Sequence, residues 1–494
     1  MQNQIEFSSH EIKIIVVSIV LNILAYVISS DDTALIDSNI NEIISKKISE
    51  LNDIKIELEL ERSNIDSNDK EAKKEFAKKE SQFNKDIKNL SAVMAFVNEN
   101  PDIGEMQLVA TSGMFKGSNG NREFNSGINT FAFYDKTTKT IAITERGTVP
   151  GEWGDNQYMV TNAFTGQDYL ALQLRERFNA EFQEKDIEIE KVIETGHSKG
   201  GNKSLKSHIF YITQEINKIV ESSETPENKI KAINNLLEKY YCITENAPWL
   251  SNETMEFFQK LLEPAYKNGL IPRPEIFIKQ ILAKNIIIVN CENDYVSAIN
   301  GQNAFGKKYI TEQTYGTVFD AHAPFIFFDI DEDFVFNGKL PRRKNEYGKI
   351  HITAQDIFAD VNNLSSVKKT SVLNFSMVTV DDILINNSNK NITRPNNYVA
   401  LNQTEQKEIN KAKFKDGLMF LGIAIKTFFT KALLVIILAI IKIPQKINAA
   451  KNFETLSAKY TNSLEKKSLL KDDNYIENQV PQSLKQLQLK EMTN

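Results

Sequence analysis

Cysteine is nearly absent. The 494 residues hold two, Cys242 and Cys291, too few for a disulfide framework or a zinc site of their own. Cys291 ends the apolar run Ile286–Cys291 and reads as a small buried hydrophobe. Charge of one sign is missing too: a net charge of -6 leaves no basic surface, and nucleic acid is set aside as a partner. No low-complexity tract marks the chain as disordered. An ordinary signal peptide is not expected, because the apolar stretch Ile14–Ile28 follows Glu6 and Glu11 rather than basic residues, and no small-residue cleavage site comes after it. At about fifteen residues that stretch is short for a membrane span. A buried or partner-packed helix is the favoured reading, a membrane anchor the rival. Histidine is scarce, with His10, His197, His208, His322 and His351 the whole supply, so few residues compete for any acid–base role.

What is present is Thr195-Gly196-His197-Ser198-Lys199-Gly200-Gly201, directly after the alternating run Ile187–Ile193. A G-x-S-x-G between a strand and a helix is the form of a nucleophile elbow. The turn is tight enough to require glycines beside the serine, and it lifts the serine Oγ above the sheet. The spacing also rules out a phosphate-binding loop, since Asn202 intervenes before Lys203-Ser204 and shifts the pattern by one residue.

The rest of the chain divides by pattern. Residues 1–98 form an N-terminal helical region, with apolar positions at three- and four-residue steps and a break at Ser63–Asp69 giving an αα-hairpin over 38–92. A structural extension is the plainer reading of that hairpin, a docking arm the sharper one. Residues 99–345 alternate strands and helices and are expected to form the catalytic domain, an α/β fold with a mostly parallel sheet. Expected strands are Asn129–Tyr134, Thr140–Thr144, Glu188–Thr195, Asn285–Cys291 and Lys307–Tyr315. Between Glu188–Thr195 and Asn285–Cys291, 221–283 reads as a helical insertion, with Trp249, Leu250, Phe257 and Phe258 as an apolar lid or as core. Residues 346–402 read as a mixed connector. The helical C-terminal region 403–494 carries the apolar segment 418–441, whose Lys426 and Lys431 suit an interfacial or partner-covered helix better than a bilayer span.

An elbow needs an acid and a histidine further along. Asp294, where the strand Asn285–Cys291 runs out, is the favoured acid, with Glu292 the competitor. His322 follows it in the order serine, acid, histidine, and His351 is the fallback. His197 adjoins the serine and is expected to face away from its Oγ, while His208 lies about three turns along the following helix. The oxyanion requires two backbone donors. Lys199 N–H is one, and Thr148, in the Glu145-Arg146-Gly147-Thr148 turn, supplies the other.

Arg146-Gly147-Thr148, Trp153 and Asp155, the Gly196–Asn202 elbow and Asn293-Asp294-Tyr295-Val296 together resemble the class 3 lipases. The Gly-His-Ser-Lys-Gly-Gly-Asn form is most similar to a bacterial branch of that group. The resemblance covers about residues 100–330. It implies an α/β-hydrolase fold, carboxylic-ester hydrolysis, no cofactor or metal, and an acyl-lipid or ester substrate acted on by a lipase or phospholipase. Glu145, Lys199 and Asn202 depart from the apolar residues of the fungal-type lipases. The helical flanks fall outside the resemblance. Their layout is similar to that of type VII-secreted lipase toxins, which implies a membrane surface or small helical partner proteins for 403–494. Two alternatives remain: a thioesterase or peptidase with the same triad, and a catalytically silent hydrolase fold serving as a binding module.

Overall fold

The computed structural model describes residues 6–66, 69–115, 128–147, 166–299, 301–314, 320–329, 336–352 and 354–355. The C-terminal region 403–494 with its apolar segment, and all but the start of the 346–402 connector, lie outside them.

Eight strands form one sheet in chain order. They are β1 Gln107–Thr111, β2 Thr130–Asp135, β3 Thr140–Glu145, β4 Lys191–His197, β5 Tyr240–Glu245, β6 Ile286–Cys291, β7 Lys307–Thr311 and β8 Arg343–Lys344. Strands β3 to β7 run parallel, flanked by antiparallel β1–β2 and β8. Side chains alternate between the faces, as strand geometry demands. Ile141, Ile143, Val192, Cys242, Ile286 and Ile288 point to one apolar layer; Ala142, Ile193, Ile243, Ile287 and Val289 point to the other. The fold is α/β, with both faces of the parallel strands covered.

One face is covered by α4 Gly166–Glu184, α5 Lys199–Glu221, α6 Pro226–Lys239 and α7 Asn252–Lys267. The other is covered by α1 Ser9–Val27 and α3 Lys70–Glu99, with α2 Ile40–Asn64 against α3. Helix α1 starts at a capping box in which Ser8 accepts from the Glu11 N–H and Glu11 from the Ser8 N–H. It is long and apolar enough to cross a membrane, and here it is buried on β3, β4 and β5. Ile15, Ile19, Leu21 and Leu24 are fully covered, each stabilising by roughly 1.5–3 kcal/mol relative to exposure.

Two sequence expectations need correction. Residues 221–283 are not a helical insertion, because β5 lies inside them and pairs with both β4 and β6. Trp249, Leu250, Phe257 and Phe258 are 5% exposed or less and belong to the core of the α4–α7 face, not to a lid. Residue 98 is no domain boundary either, since α1 and α3 share a continuous apolar layer with the sheet. The helix α1 is that long apolar run's answer to the hydrophobic effect: the sheet face is its solvent.

Candidate active site

Three loops that leave the carboxyl ends of parallel strands meet above the sheet, where open α/β sheets place their ligands. Strand β4 ends at His197, and Ser198 turns into α5 with φ 57° and ψ -128°. Such a conformation costs a non-glycine residue about 1–3 kcal/mol. The neighbours make it possible. A Cβ on Gly196 would sit 2.4 Å from the Gly200 carbonyl carbon, and one on Gly200 would sit 2.0 Å from the Glu145 carbonyl oxygen. The Ser198 N–H donates to the Glu245 carbonyl at 2.8 Å, continuing the β4–β5 ladder into the turn.

Asp294 follows β6 and is fully buried. Its carboxylate accepts backbone N–H groups from Ser297 at 2.8 Å and Val296 at 3.3 Å, which hold it in place. His322 follows β7, with Nδ1 2.8 Å from Asp294 Oδ1 and Nε2 2.8 Å from Ser198 Oγ. An ionised carboxylate only accepts. Nδ1 therefore carries the hydrogen, and Nε2 is left to accept from the serine hydroxyl. The three residues expected from the sequence are thus brought into one hydrogen-bonded line.

The competitors are elsewhere. Glu292 pairs with Lys344 and accepts the Gln313 N–H. His351 is buried and stacked on Tyr347, ring centroids 3.6 Å apart, and burial holds it down to about 4. His208 is buried on α5 and held down to about 3, and His10 meets Lys191 at the periphery.

The oxyanion loop is described as far as Gly147; Thr148 lies outside the described residues. A Cβ on Gly147 would come 3.2 Å from Ser198 Cβ and 2.3 Å from the Tyr26 hydroxyl, so this loop runs hard against Ser198. Lys199 is the first residue of α5, where helical N–H groups have no partner within the helix and point out of its start.

Several site residues were not read from the sequence. Tyr26 of α1 shares a 3.0 Å hydrogen bond with His197 Nδ1. His197 lies beside that hydrogen-bonded line, its ring 5.0 Å from that of His322, and burial holds its pKa well below the usual histidine value. A neutral ring is thereby kept beside that of His322. Asn22, also from α1, donates to Thr195 Oγ1 at 2.9 Å and accepts from Thr144 Oγ1 at 2.6 Å, clamping β3 to β4 just before their loops. Beside it, Glu245 is fully buried, and burial pushes its carboxyl well above the usual range. Asn246, at φ 44°, donates to the Ala321 carbonyl at 2.9 Å and accepts the Cys291 N–H at 2.8 Å. It ties the acid strand to the histidine loop. Only a positive-φ asparagine after a strand could have flagged it, and β5 went unrecognised.

No protein-family model matches the chain, and no curated protein matches it. Among solved structures it is similar to a triacylglyceride lipase of Rhizomucor miehei, at 15% identity over 45% of this chain and 77% of that one, with a TM-score of 0.23. It is also similar to a triacylglycerol lipase of Penicillium expansum, at 13% identity over 47% and 79%, TM-score 0.24. A third structure, from a family of fungal lipases with a buried polar cluster, aligns at 10% identity over 74% and 99%, TM-score 0.33. Likenesses this distant bear on neither reaction nor substrate, which rest on the geometry of the site.

Proposed function

We propose that the protein is a serine-dependent carboxylic-ester hydrolase acting on acyl lipids. Ser198 is the nucleophile, His322 the general base and then acid, and Asp294 the carboxylate that orients it. The observation that carries this reading is the line from Ser198 Oγ through His322 to Asp294, 2.8 Å at each link, on a backbone strained at the serine. In the reaction, His322 Nε2 takes the hydroxyl proton as Oγ attacks the acyl carbonyl, then gives it to the departing alcohol as the C–O bond breaks. Water repeats the sequence on the acyl-serine and releases the fatty acid. The oxyanion falls to the backbone N–H groups of Lys199 and Thr148. An acyl substrate is supported by the apolar segment Ala323–Phe325 directly after the histidine and by the motif resemblance to class 3 lipases.

The test is labelling by a fluorophosphonate probe together with turnover of short- and long-chain esters by wild type and Ser198→Ala. The adduct is expected on Ser198, and the variant should lose at least about 10³-fold in kcat. Equal turnover by the two proteins, or no adduct on Ser198, overturns the assignment.

A further inference from the structure

The chain leaves β5 through Glu245-Asn246-Ala247-Pro248-Trp249, and this segment bonds to all three loops of the site. The Glu245 carbonyl accepts the Ser198 N–H at 2.8 Å. The Pro248 and Trp249 carbonyls accept from Asn202 Nδ2 at 3.0 and 3.2 Å, which grips the first turn of α5. Trp249 N–H donates to the Ile299 carbonyl at 3.0 Å, just past the loop that carries Asp294. The acid and histidine loops converge on Asn246.

Asn246 is fully buried and has φ 44°, a region that asparagine tolerates better than most side chains. Its backbone N–H donates to the Val289 carbonyl at 2.9 Å, closing the ladder between β5 and β6. The side chain then reaches in two directions. Oδ1 accepts the Cys291 N–H at 2.8 Å, and Nδ2 donates to the Ala321 carbonyl at 2.9 Å. An N–H needs an acceptor and a carbonyl a donor, so one orientation of the amide satisfies both. Each arm ends beside the line through Ser198, His322 and Asp294. Cys291 accepts the Asp294 N–H on its own carbonyl at 3.1 Å. Ala321 precedes His322 inside a turn closed by the Ala323 N–H on the Asp320 carbonyl at 2.9 Å. Buried hydrogen bonds that are fully satisfied rigidify what they join.

The 2.8 Å contact of His322 Nδ1 with Asp294 Oδ1 joins loops that follow different strands. We propose that Asn246 is the positioning residue for that contact. One amide sets the distance between the two loops, and the adjoining Glu245 carbonyl fixes the elbow to the same frame. The inference rests on the ester-hydrolase reading and adds to it a residue that acts through the backbone of its neighbours. A displacement of about 1 Å between reacting groups can cost about 10²-fold in rate, so the amide matters well beyond its two hydrogen bonds.

The test compares the full chain with Asn246→Gly and Asn246→Asp. Three readouts are taken: turnover of a short-chain ester, fluorophosphonate labelling of Ser198, and the proton NMR signal of His322 Nδ1–H, which a hydrogen bond to a carboxylate moves far downfield. Glycine keeps the positive φ without strain and removes both arms. Aspartate has nearly the same shape, keeps the acceptor for Cys291 and turns an oxygen toward the Ala321 carbonyl, so it breaks the histidine arm alone. Measured well below each melting temperature, both variants should lose about 10²-fold in kcat with KM within about twofold of wild type. Labelling should slow by a similar factor, and the downfield signal should be lost. A merely structural amide would lower the melting temperature and leave kcat and the signal of the folded protein alone. Wild-type kcat in either folded variant therefore overturns the proposal, as does a fall carried by KM or one that leaves the signal in place. Asn246→Gly, which adds no charge, decides the matter if the aspartate variant does not fold. An active wild type with unimpaired variants removes the proposal alone. A wild type that neither turns over esters nor labels at Ser198 removes the ester-hydrolase reading and the proposal with it.

Discussion

The two faces of the sheet solve the same burial problem in opposite ways. On the face under α4 and α5, three ion pairs are sealed inside: Arg175 with Glu194 at 3.0 Å, Lys206 with Asp168 at 2.7 Å, and Lys203 with Glu145 at 3.4 Å. Arg175 is further fixed by Asn179 and lies over the Tyr211 ring. Burial pushes the Glu145 and Glu194 carboxyls up, and their cationic partners pull them back. Under α1 the polar groups at the strand ends are the hydrogen-bonding side chains of Asn22, Tyr26, Thr144, Thr195 and His197, with Glu245 beside them, and the ion pairs on that side, Lys47 with Asp32 and Glu50 and Lys307 with Glu11, are partly exposed. Yet that face touches the strand that leads to Ser198 and the ring of His197, while the ion pairs reach the site through the elbow helix and through Glu145, which leads into the Gly147 loop. Charges thus secure the scaffold at high cost if broken. Neutral hydrogen bonds tune the site, where a stray charge would compete with the catalytic one.

Breaking the charged face has the largest expected effect on stability. Arg175→Met leaves Glu194 buried without its cation and should cost about 3–5 kcal/mol, read from the denaturant midpoint. Replacing both partners by apolar residues should recover most of that loss. If the single variant is as stable as wild type, the pairs are not what holds α4 and α5 to the sheet. On the neutral face, Asn22→Leu orphans the Thr144 and Thr195 hydroxyls and should cost about 1–3 kcal/mol, with kcat falling because β3 and β4 carry the oxyanion loop and the elbow. Tyr26→Phe is a finer probe. It keeps the ring and loses one hydrogen bond, about 0.5–1.5 kcal/mol, and should lower kcat several-fold at unchanged KM. A larger kinetic effect from Arg175→Met than from Asn22→Leu, at matched stability, would reverse the division between the faces.

A further effect is one of pH. His208 and His351 are held down to about 3 and about 4 from an ordinary 6.5, so the unfolded chain takes up these protons first. Their contribution is complete above pH 6.5 and is lost progressively as pH falls through the window toward 4 and 3. His208→Leu should therefore flatten the decline in Tm between about pH 7 and about pH 5. A slope equal to that of wild type would remove His208 from the account.

The line from Ser198 through His322 to Asp294 was legible in the chain because its parts are local. A turn too tight for side chains must be written with glycines at fixed offsets from the serine, a strand must precede it, and five histidines leave few candidates. Asp294 was expected where an apolar strand runs out and His322 from its place after it in the chain, and the structure puts His322 within hydrogen-bond reach of both Asp294 and Ser198. The apolar run at the N-terminus announced a helix that needed covering, without saying what would cover it. Strand β5 was hidden because Tyr240 follows α6 with no intervening turn residue, and the four apolar residues Tyr240–Ile243 read equally as the end of a helix.

Sequence by itself determined the elbow, the order of serine, acid and histidine, and the alternation that makes a parallel sheet. Those follow from local backbone geometry and side-chain period. Only the tertiary structure decided that α1 lies on the sheet, that its Asn22 and Tyr26 reach the β-strand ends, and that α3 packs against the Pro324–Ile326 turn after His322. Contacts between residues more than a hundred positions apart depend on how helices settle against a sheet, and no local pattern in the chain records that.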